Sequence, residues 1–300
     1  MLPRTSAEIN SFLEARGLAP LARFGQNFLV HAASVELVAA AGGPIEGRVV
    51  LEIGPGLGAL TSALLARGAR VVAAEVDAGY CGVLRDAFAS ETHFTLIEGD
   101  CLGTKGLAAP LLAALSAAGA WDSGFFVISN LPYQISSPFL AALPHLLRPP
   151  ESVVLTLQKE VARALRAKPG SEHYTPLSLL AGLCYEVEQL RVLPAGYFHP
   201  RPEVESAVVR LVPRDLRTLA AGFSIDDLDS LLLFARTLLG ARRQILRRTL
   251  PRAATVLGVT LVPGELTTAL LAVGLTGNER ADVLEIPTIL RLFAAVRGAV

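Results

Sequence analysis

Cysteine is scarce in this 300-residue chain: Cys81, Cys101 and Cys184 are the only three, odd in number and far apart. That excludes a disulfide framework or a zinc knuckle and points to a reducing cytoplasm. Lysine occurs only at 105, 159 and 168, so nearly all of the basic charge is arginine. An excess of either charge is missing, since 27 acidic residues balance 27 basic ones, and no whole-chain field draws the protein toward nucleic acid. Long apolar runs are lacking too. Charge, glycine or proline interrupts each one before the roughly 18–20 residues a membrane-spanning helix requires. The opening segment carries Glu8 and Glu14 without a continuous apolar stretch, so no signal peptide is expected. What the chain does have is apolar material, 52% hydrophobic against 18% charged residues, with mean hydropathy +0.47. Disorder is excluded, and one large domain or two ordinary ones are within reach.

Charge is unevenly divided. Residues 1–213 hold 16 basic and 19 acidic residues, whereas residues 214–300 hold 11 and 8. The pattern of elements changes at the same place. Before it, β-rich runs at Val49–Ile53, Arg70–Val76, Phe94–Ile97, Phe125–Ser129 and Ser152–Leu157 alternate with helical stretches at Ala59–Arg67, Ala78–Ser90, Leu107–Ala118 and Ser137–Leu147. Continuous apolar strands alternating with helices predict a parallel sheet covered on both faces. Tyr185–Leu193 and Ser206–Val212 read as an antiparallel pair at its edge. Beyond Pro213 the segments Ile225–Leu239, Ala241–Leu250, Pro263–Ala272 and Pro287–Val296 read as short helices. The expectation is therefore an α/β domain over 1–213 and a small all-helical domain over 214–300.

The strongest local signal is Val49-Val-Leu-Glu-Ile-Gly-Pro-Gly-Leu-Gly58, a strand that feeds a glycine-rich turn opening a helix. Glycine lets backbone approach a ligand, and Glu75 at the end of the next strand can accept both hydroxyls of a ribose. Alone, such a turn is only a tight connection; the strand, the helix and Glu75 together make a nucleoside site. Ala59 and Leu60 after Gly58 break the usual dinucleotide spacing. Asp100, in Glu98-Gly-Asp100, either takes an adenine amino group or caps the next segment. S-adenosylmethionine is favoured over NAD.

Asn130-Leu131-Pro132-Tyr133 follows the fourth strand. The exocyclic amine of adenine is a poor nucleophile because its lone pair is delocalised into the ring. An Asn130 oxygen and a backbone carbonyl can accept its two N–H bonds and favour a pyramidal nitrogen, with proline fixing the turn. Tyr133 offers a flat face for a base taken out of its stack, for which the ring matters and the hydroxyl does not. No strong general base is needed, and no metal is expected.

These residues bring the chain close to a known family. Phe24-Gly-Gln-Asn-Phe-Leu29, Glu52-Ile-Gly-Pro-Gly-Leu-Gly58, Glu75-Val-Asp77, Gly99-Asp100, Asn130-Leu-Pro-Tyr133, Leu157-Gln-Lys-Glu-Val-Ala162, the run Phe198–Leu211, Arg242-Arg243 with Arg247, and Arg280-Ala-Asp-Val-Leu284 follow one another in order. In that order the chain, over about residues 21–295, resembles the adenine-N6 dimethyltransferases of ribosomal RNA, bacterial small-subunit type. The resemblance implies a class I, Rossmann-like methyltransferase that uses S-adenosyl-L-methionine to dimethylate two adjacent adenines near the 3′ end of 16S rRNA. The substrate would be an immature small ribosomal subunit, and the enzyme a cytoplasmic monomer. Asn27, Leu29, Gly54, Gly56, Glu75, Asp100 and Asn130 would line the cofactor site. Phe198 would join Tyr133 in an aromatic clamp on the base, although an isolated Phe is more commonly a core residue. Departures from the family pattern include His31 in place of aspartate, Thr175-Pro176 in place of a glycine, Gln244 in place of lysine, and Leu21-Ala22 without the usual basic residues.

Arg236–Arg252 contains six arginines and no acid. A charge run is often just a solvated face, but beside a base-modifying fold it points to RNA phosphate, through Arg242, Arg243, Arg247 and Arg248, with Arg23 and Arg201 at the rim. Rival readings are a 23S rRNA methyltransferase of the macrolide-resistance type, which the full Phe198–Leu211 run disfavours, and a noncatalytic ribosome-assembly factor, which the intact Asn130–Tyr133 segment disfavours. An NAD oxidoreductase is more distant.

Overall fold

The computed structural model describes every residue except 1, 4, 22–24, 215–222 and 299–300. The expected rim contact at Arg23, and Phe24 of the first motif, lie outside the described residues. Nine strands are described: β1 (Phe28–Leu29), β2 (Val49–Ile53), β3 (Arg70–Glu75), β4 (Phe94–Glu98), β5 (Phe125–Ser129), β6 (Ser152–Gln158), β7 (Tyr185–Leu193), β8 (Phe198–His199) and β9 (Ser206–Pro213). Seven form one sheet in the order β4-β3-β2-β5-β6-β9-β7, and β1 pairs with β8 in a second, antiparallel ribbon.

The pairs β2/β3, β3/β4, β2/β5 and β5/β6 are parallel, and β9 runs antiparallel to β6. Every residue of β2 and β5 is buried, as continuous apolar strands covered on both faces must be. The chain winds outward from β2 through β3 to β4, then returns to place β5 on the other side of β2. That reversal leaves a crevice at the carboxyl ends of β2 and β5, where open α/β sheets bind ligands. β2 runs into Gly54 and β5 into Asn130.

Several helices differ from the sequence reading for local reasons. Leu107–Ala118 is a helix over Ala109–Ala117, and Gly119 in the left-handed region starts a separate turn at Ala120–Ser123. Ser137–Leu147 is helical only over Ser136–Ala142; Pro144 leaves one 3-10 turn after it. The helix expected at Ala241 begins at Leu246, because residues 241–245 turn away and the Leu246 and Arg247 amides bond to the carbonyls of Glu279 and Gly277. Helices at Ser6–Glu14, Ala32–Ala41, Lys159–Leu165 and Pro176–Cys184 were not foreseen.

The expected division at Pro213 needs correction. One compact unit comprises Met1–Ala162 with Val187–Pro213, and the other comprises Arg163–Glu186 with Arg214–Val300. Residues 163–186 join the second unit through specific bonds. The Gly170 amide donates to the Asp282 carbonyl at 2.6 Å, and the Tyr174 hydroxyl to the Leu284 carbonyl at 3.1 Å. Arg242 donates to the carbonyls of Ser171, at 2.7 Å, and Glu172. Its Nε also lies 3.9 Å from the buried carboxylate of Asp282, which Arg280 grips through two N–H groups. Arg242 thus helps to hold this unit together, with its side chain still 33% exposed.

Arg242→Ala should destabilise the second unit by about 1–2 kcal/mol, at the low end for charged hydrogen bonds because the side chain is partly exposed. Arg243→Ala, at an exposed position, should stay within about 0.5 kcal/mol. Urea unfolding of both variants tests the contrast; equal stability would deny Arg242 its structural role.

Candidate active site

The crevice at the sheet's switch point is a cavity of about 840 Å³, within the size range of small-ligand sites. Asn27, Leu29, Gly54, Gly56, Glu75, Asp100, Asn130, Leu131, Pro132 and Tyr133 all line it. They come from five places in the sequence: the arm at β1 and the carboxyl ends of β2, β3, β4 and β5.

The glycine turn is shaped by close packing. Gly54 has φ +65°, and a Cβ there would lie 2.9 Å from Pro132 Cγ. Gly56 has φ +58°, and a Cβ would lie 2.9 Å from the Phe28 ring. Any larger residue would meet both a left-handed backbone and a side chain that belongs to another part of the site. Two motifs that read separately in the sequence are therefore in contact.

Glu75 is buried at the end of β3. Its Oε2 accepts the Gly56 amide at 3.1 Å, and its Oε1 accepts the Asp77 amide at 3.0 Å. Burial raises its pKa, against the lowering effect of these two amides. Asp77 caps the next helix by accepting the Gly79 amide at 2.9 Å and takes the Gln26 amide group at 3.0 Å on its other oxygen. Asp100 is exposed at the cavity edge, with Oδ1 accepting the Leu102 amide at 2.9 Å; the capping use and a ligand use are thus compatible.

Beneath the turn, Glu52 is 1% exposed and accepts a 2.7 Å hydrogen bond from Thr61. Burial pushes its carboxyl up to about 8, outweighing the Thr61 hydroxyl, with the nearby Glu75 adding to the rise. Sequence reading assigned Glu52 no role beyond its place in the motif. Cys101 is also buried, which pushes its thiol up to about 12, so it acts as an apolar filler and not as a nucleophile.

Asn130 donates from Nδ2 to the Asn27 carbonyl at 2.8 Å. Only the amide nitrogen can serve a carbonyl, so Oδ1 is left as the acceptor of this cavity-lining side chain. The Leu131 side chain is buried and anchors the turn, and Pro132 covers Gly54. The Tyr133 hydroxyl pairs with the Ser206 hydroxyl at 2.6 Å, a bond between residues far apart in the chain, so the phenol also sets the angle of the ring. Phe198 requires correction. It is 2% exposed, opposite Leu29 in the β1/β8 ribbon, and packs in the core with Val35, Leu193 and Val208. It does not line the cavity, because the ribbon turns its ring inward.

The electrostatics distinguish between possible cofactors. A dinucleotide brings an anionic pyrophosphate to the amides of the glycine turn. Here the Gly56 amide already serves Glu75, and Asp100 adds a second carboxylate to the lining. Such a cavity suits a nucleoside carrying positive charge. No group of three or more His, Cys, Asp or Glu that could hold a metal occurs among the described residues.

The mostly parallel sheet, with its glycine turn and acidic nucleoside-sized crevice, defines a Rossmann-like methyltransferase. A dimethyladenosine transferase from Plasmodium falciparum has the same fold, at TM-score 0.66 and 20% identity over 89% of this chain and 96% of that one. The 23S rRNA methyltransferase ErmE gives TM-score 0.56 and 19% identity over 90% and 99%. Residues 21–293 match the family profile of ribosomal RNA adenine dimethylase, and the chain belongs to that family. Ribosomal RNA small subunit methyltransferase A from Phenylobacterium zucineum is 37% identical over 96% of this chain and 92% of its own. The protein of the same description from Thermosynechococcus vestitus is 37% identical over 92% and 96%.

Two predictions follow from this geometry. Between pH 4.5 and about 8 the folded protein keeps the Glu52 proton that the unfolded chain releases. This contribution to stability is therefore complete below pH 4.5 and is lost as pH rises toward 8, on the order of a few kcal/mol in all. Glu52→Gln, which keeps the acceptor for Thr61, should flatten the fall; urea unfolding from pH 5 to pH 9 with an unchanged profile would refute the buried neutral acid. For Phe198, Phe198→Ala should cost about 3–5 kcal/mol as a core cavity. Phe198→Leu should retain near-normal methyl transfer, and a folded but inactive Phe198→Leu protein would restore the aromatic clamp.

Proposed function

We propose that this chain dimethylates the N6 amines of two adjacent adenines near the 3′ end of 16S rRNA, acting as a monomer on an immature small ribosomal subunit with S-adenosyl-L-methionine in the crevice. The observation that carries the reading is the Asn130 amide, whose nitrogen is held by Asn27 and whose oxygen is thereby the free acceptor. Relatives described as small-subunit methyltransferases, similar over nearly the whole chain, favour this substrate over 23S rRNA.

The cavity fits the cofactor in size and sign of charge. Gly54 and Gly56 would pass beside its methionine portion, Glu75 would take the ribose hydroxyls and Asp100 the adenine amino group, with Asn27 and Leu29 along the rim. When bound, the cofactor supplies an electrophilic methyl group. Asn130 Oδ1, together with a backbone carbonyl of the Leu131–Pro132 turn, accepts hydrogen bonds from the adenine amine and directs its lone pair toward that methyl. Tyr133 holds the extruded base by stacking, its ring fixed by Ser206. The amine nitrogen becomes cationic on methylation and then loses its proton readily to water, so no strong base is required. Glu52, held as a neutral acid under the turn, is unsuited to that task. The monomethylated amine keeps one N–H and its lone pair, which permits a second round at the same base.

Asn130→Ala should fold and bind S-adenosylmethionine yet transfer methyl groups very slowly, because an orienting bond acts on the reacting geometry. Tyr133→Ala should weaken retention of the base by about 1–3 kcal/mol, the range for base stacking. Tyr133→Phe should keep the stack while leaving the buried Ser206 hydroxyl unpaired, a cost of about 1–3 kcal/mol in stability. Single-turnover assays on saturating undermethylated small subunits, with mapping of the modified bases, separate these effects. Normal chemistry in Asn130→Ala would remove its orienting role, and modification of large subunits alone would replace the substrate.

A further inference from the structure

In the second unit a pocket of about 390 Å³ lies between the helices Leu228–Gly240 and Leu246–Thr255. Leu233, Arg236, Thr237, Thr249 and Arg252 are among its lining residues, and no acid is. Thr249 is 1% exposed, and its hydroxyl has no hydrogen-bond partner. The Thr237 hydroxyl, by contrast, is satisfied by the Leu233 carbonyl at 3.2 Å. Arg236 and Arg252 are exposed, and neither forms an ion pair among the described residues.

A buried hydroxyl left unpaired lowers the stability of a protein, and native structures rarely keep one without a reason. Here it lines a pocket that also carries two guanidinium groups without a counter-charge. Guanidinium groups pair with phosphate oxygens through parallel N–H bonds, and a hydroxyl adds a donor to the same group. The two arginines come from different helices, so they approach the pocket from separate walls.

We propose that this pocket is a phosphodiester subsite, in which Arg236 and Arg252 bind the nonbridging oxygens of one RNA backbone phosphate and the Thr249 hydroxyl donates to the same phosphate. The subsite is separate from the exposed Arg243, Arg247 and Arg248, and it rests on the RNA-modifying function proposed above. It makes this part of the surface a point that fixes register, beyond a diffuse positive field. The exposed Leu233 at its edge gives the adjoining sugar an apolar neighbour.

The test compares three variants, Thr249→Val, R236Q/R252Q and R243Q/R248Q, for binding to undermethylated small subunits across a salt titration. Thr249→Val should bind about tenfold to a hundredfold more weakly, as expected for one lost hydrogen bond to a charged group, without any loss of thermal stability, since the free protein makes no bond through this hydroxyl. R236Q/R252Q should bind at least tenfold more weakly and reduce the salt slope by about one. In parallel, inorganic phosphate should shift the Nε–Hε NMR signals of Arg236 and Arg252 in the wild type. If R243Q/R248Q loses affinity while the other two variants bind normally, the subsite is refuted and the wider RNA reading survives. If all three variants keep both affinity and salt slope, the RNA reading of this unit fails and the subsite with it. Signals that respond to phosphate in a pocket that subunit binding ignores would mean a site for free phosphate, and would overturn the RNA assignment.

Discussion

The buried carboxylate of Glu75 is the constraint from which the site is built. Its two oxygens hold the Gly56 and Asp77 amides, so the end of one strand fixes both the preceding glycine turn and the start of the following helix. Asp77 extends the chain of bonds by capping that helix and by holding Gln26 of the N-terminal arm. Each acceptor compensates for donors that the parallel topology leaves unpaired at strand ends and helix starts. The arrangement also sets the sign of charge in the crevice. A turn amide spent on a carboxylate no longer attracts an anion, and the lining favours a cationic nucleoside.

Steric contact links the other half of the site to this frame of hydrogen bonds. Pro132 occupies the space beside Gly54 that a side chain would need, and Phe28 does the same beside Gly56. The Asn130 amide is oriented by the Asn27 carbonyl, from the same arm that supplies Phe28. Glycine turn, arm and the Asn130–Tyr133 turn therefore cannot shift independently. This coupling suits a reaction whose rate depends on aligning a weak nucleophile, because small displacements at the reacting atoms are costly.

The sheet was legible because buried parallel strands announce themselves as apolar runs; β2 and β5 begin and end where the residues change character. The crevice residues were legible for the same reason, since glycine, acid and Asn-Leu-Pro-Tyr sit just past strand ends. What the sequence concealed depends on contacts between distant segments. Phe198 follows a strand-like pattern next to prolines that fits either a pocket wall or a core, and only its pairing with Leu29 decides in favour of the core. The same holds for residues 163–186, whose composition resembles the sheet region but whose carbonyls and amides are taken up by Arg242 and Asp282. The Tyr133–Ser206 bond spans 73 positions and leaves no local trace.

The arginine run illustrates why a charge count is a poor guide to a binding surface. Its six guanidinium groups look equivalent in the sequence, yet the fold assigns them to different tasks. Arg242 turns to the carbonyls of Ser171 and Glu172 and toward a buried aspartate. The Arg247 stem lies over Gly277, where a Cβ would come 2.5 Å from its Cγ, which fixes the direction of the side chain at an exposed position. Arg243 and Arg248 face solvent without such support. Counterion release counts only the cations that reach phosphate, so the number that matters is smaller than the six in the sequence. A nearly neutral protein can still engage a polyanion on those terms, because cations gathered on one face act over a Debye length of about 8–10 Å while acids farther away are screened.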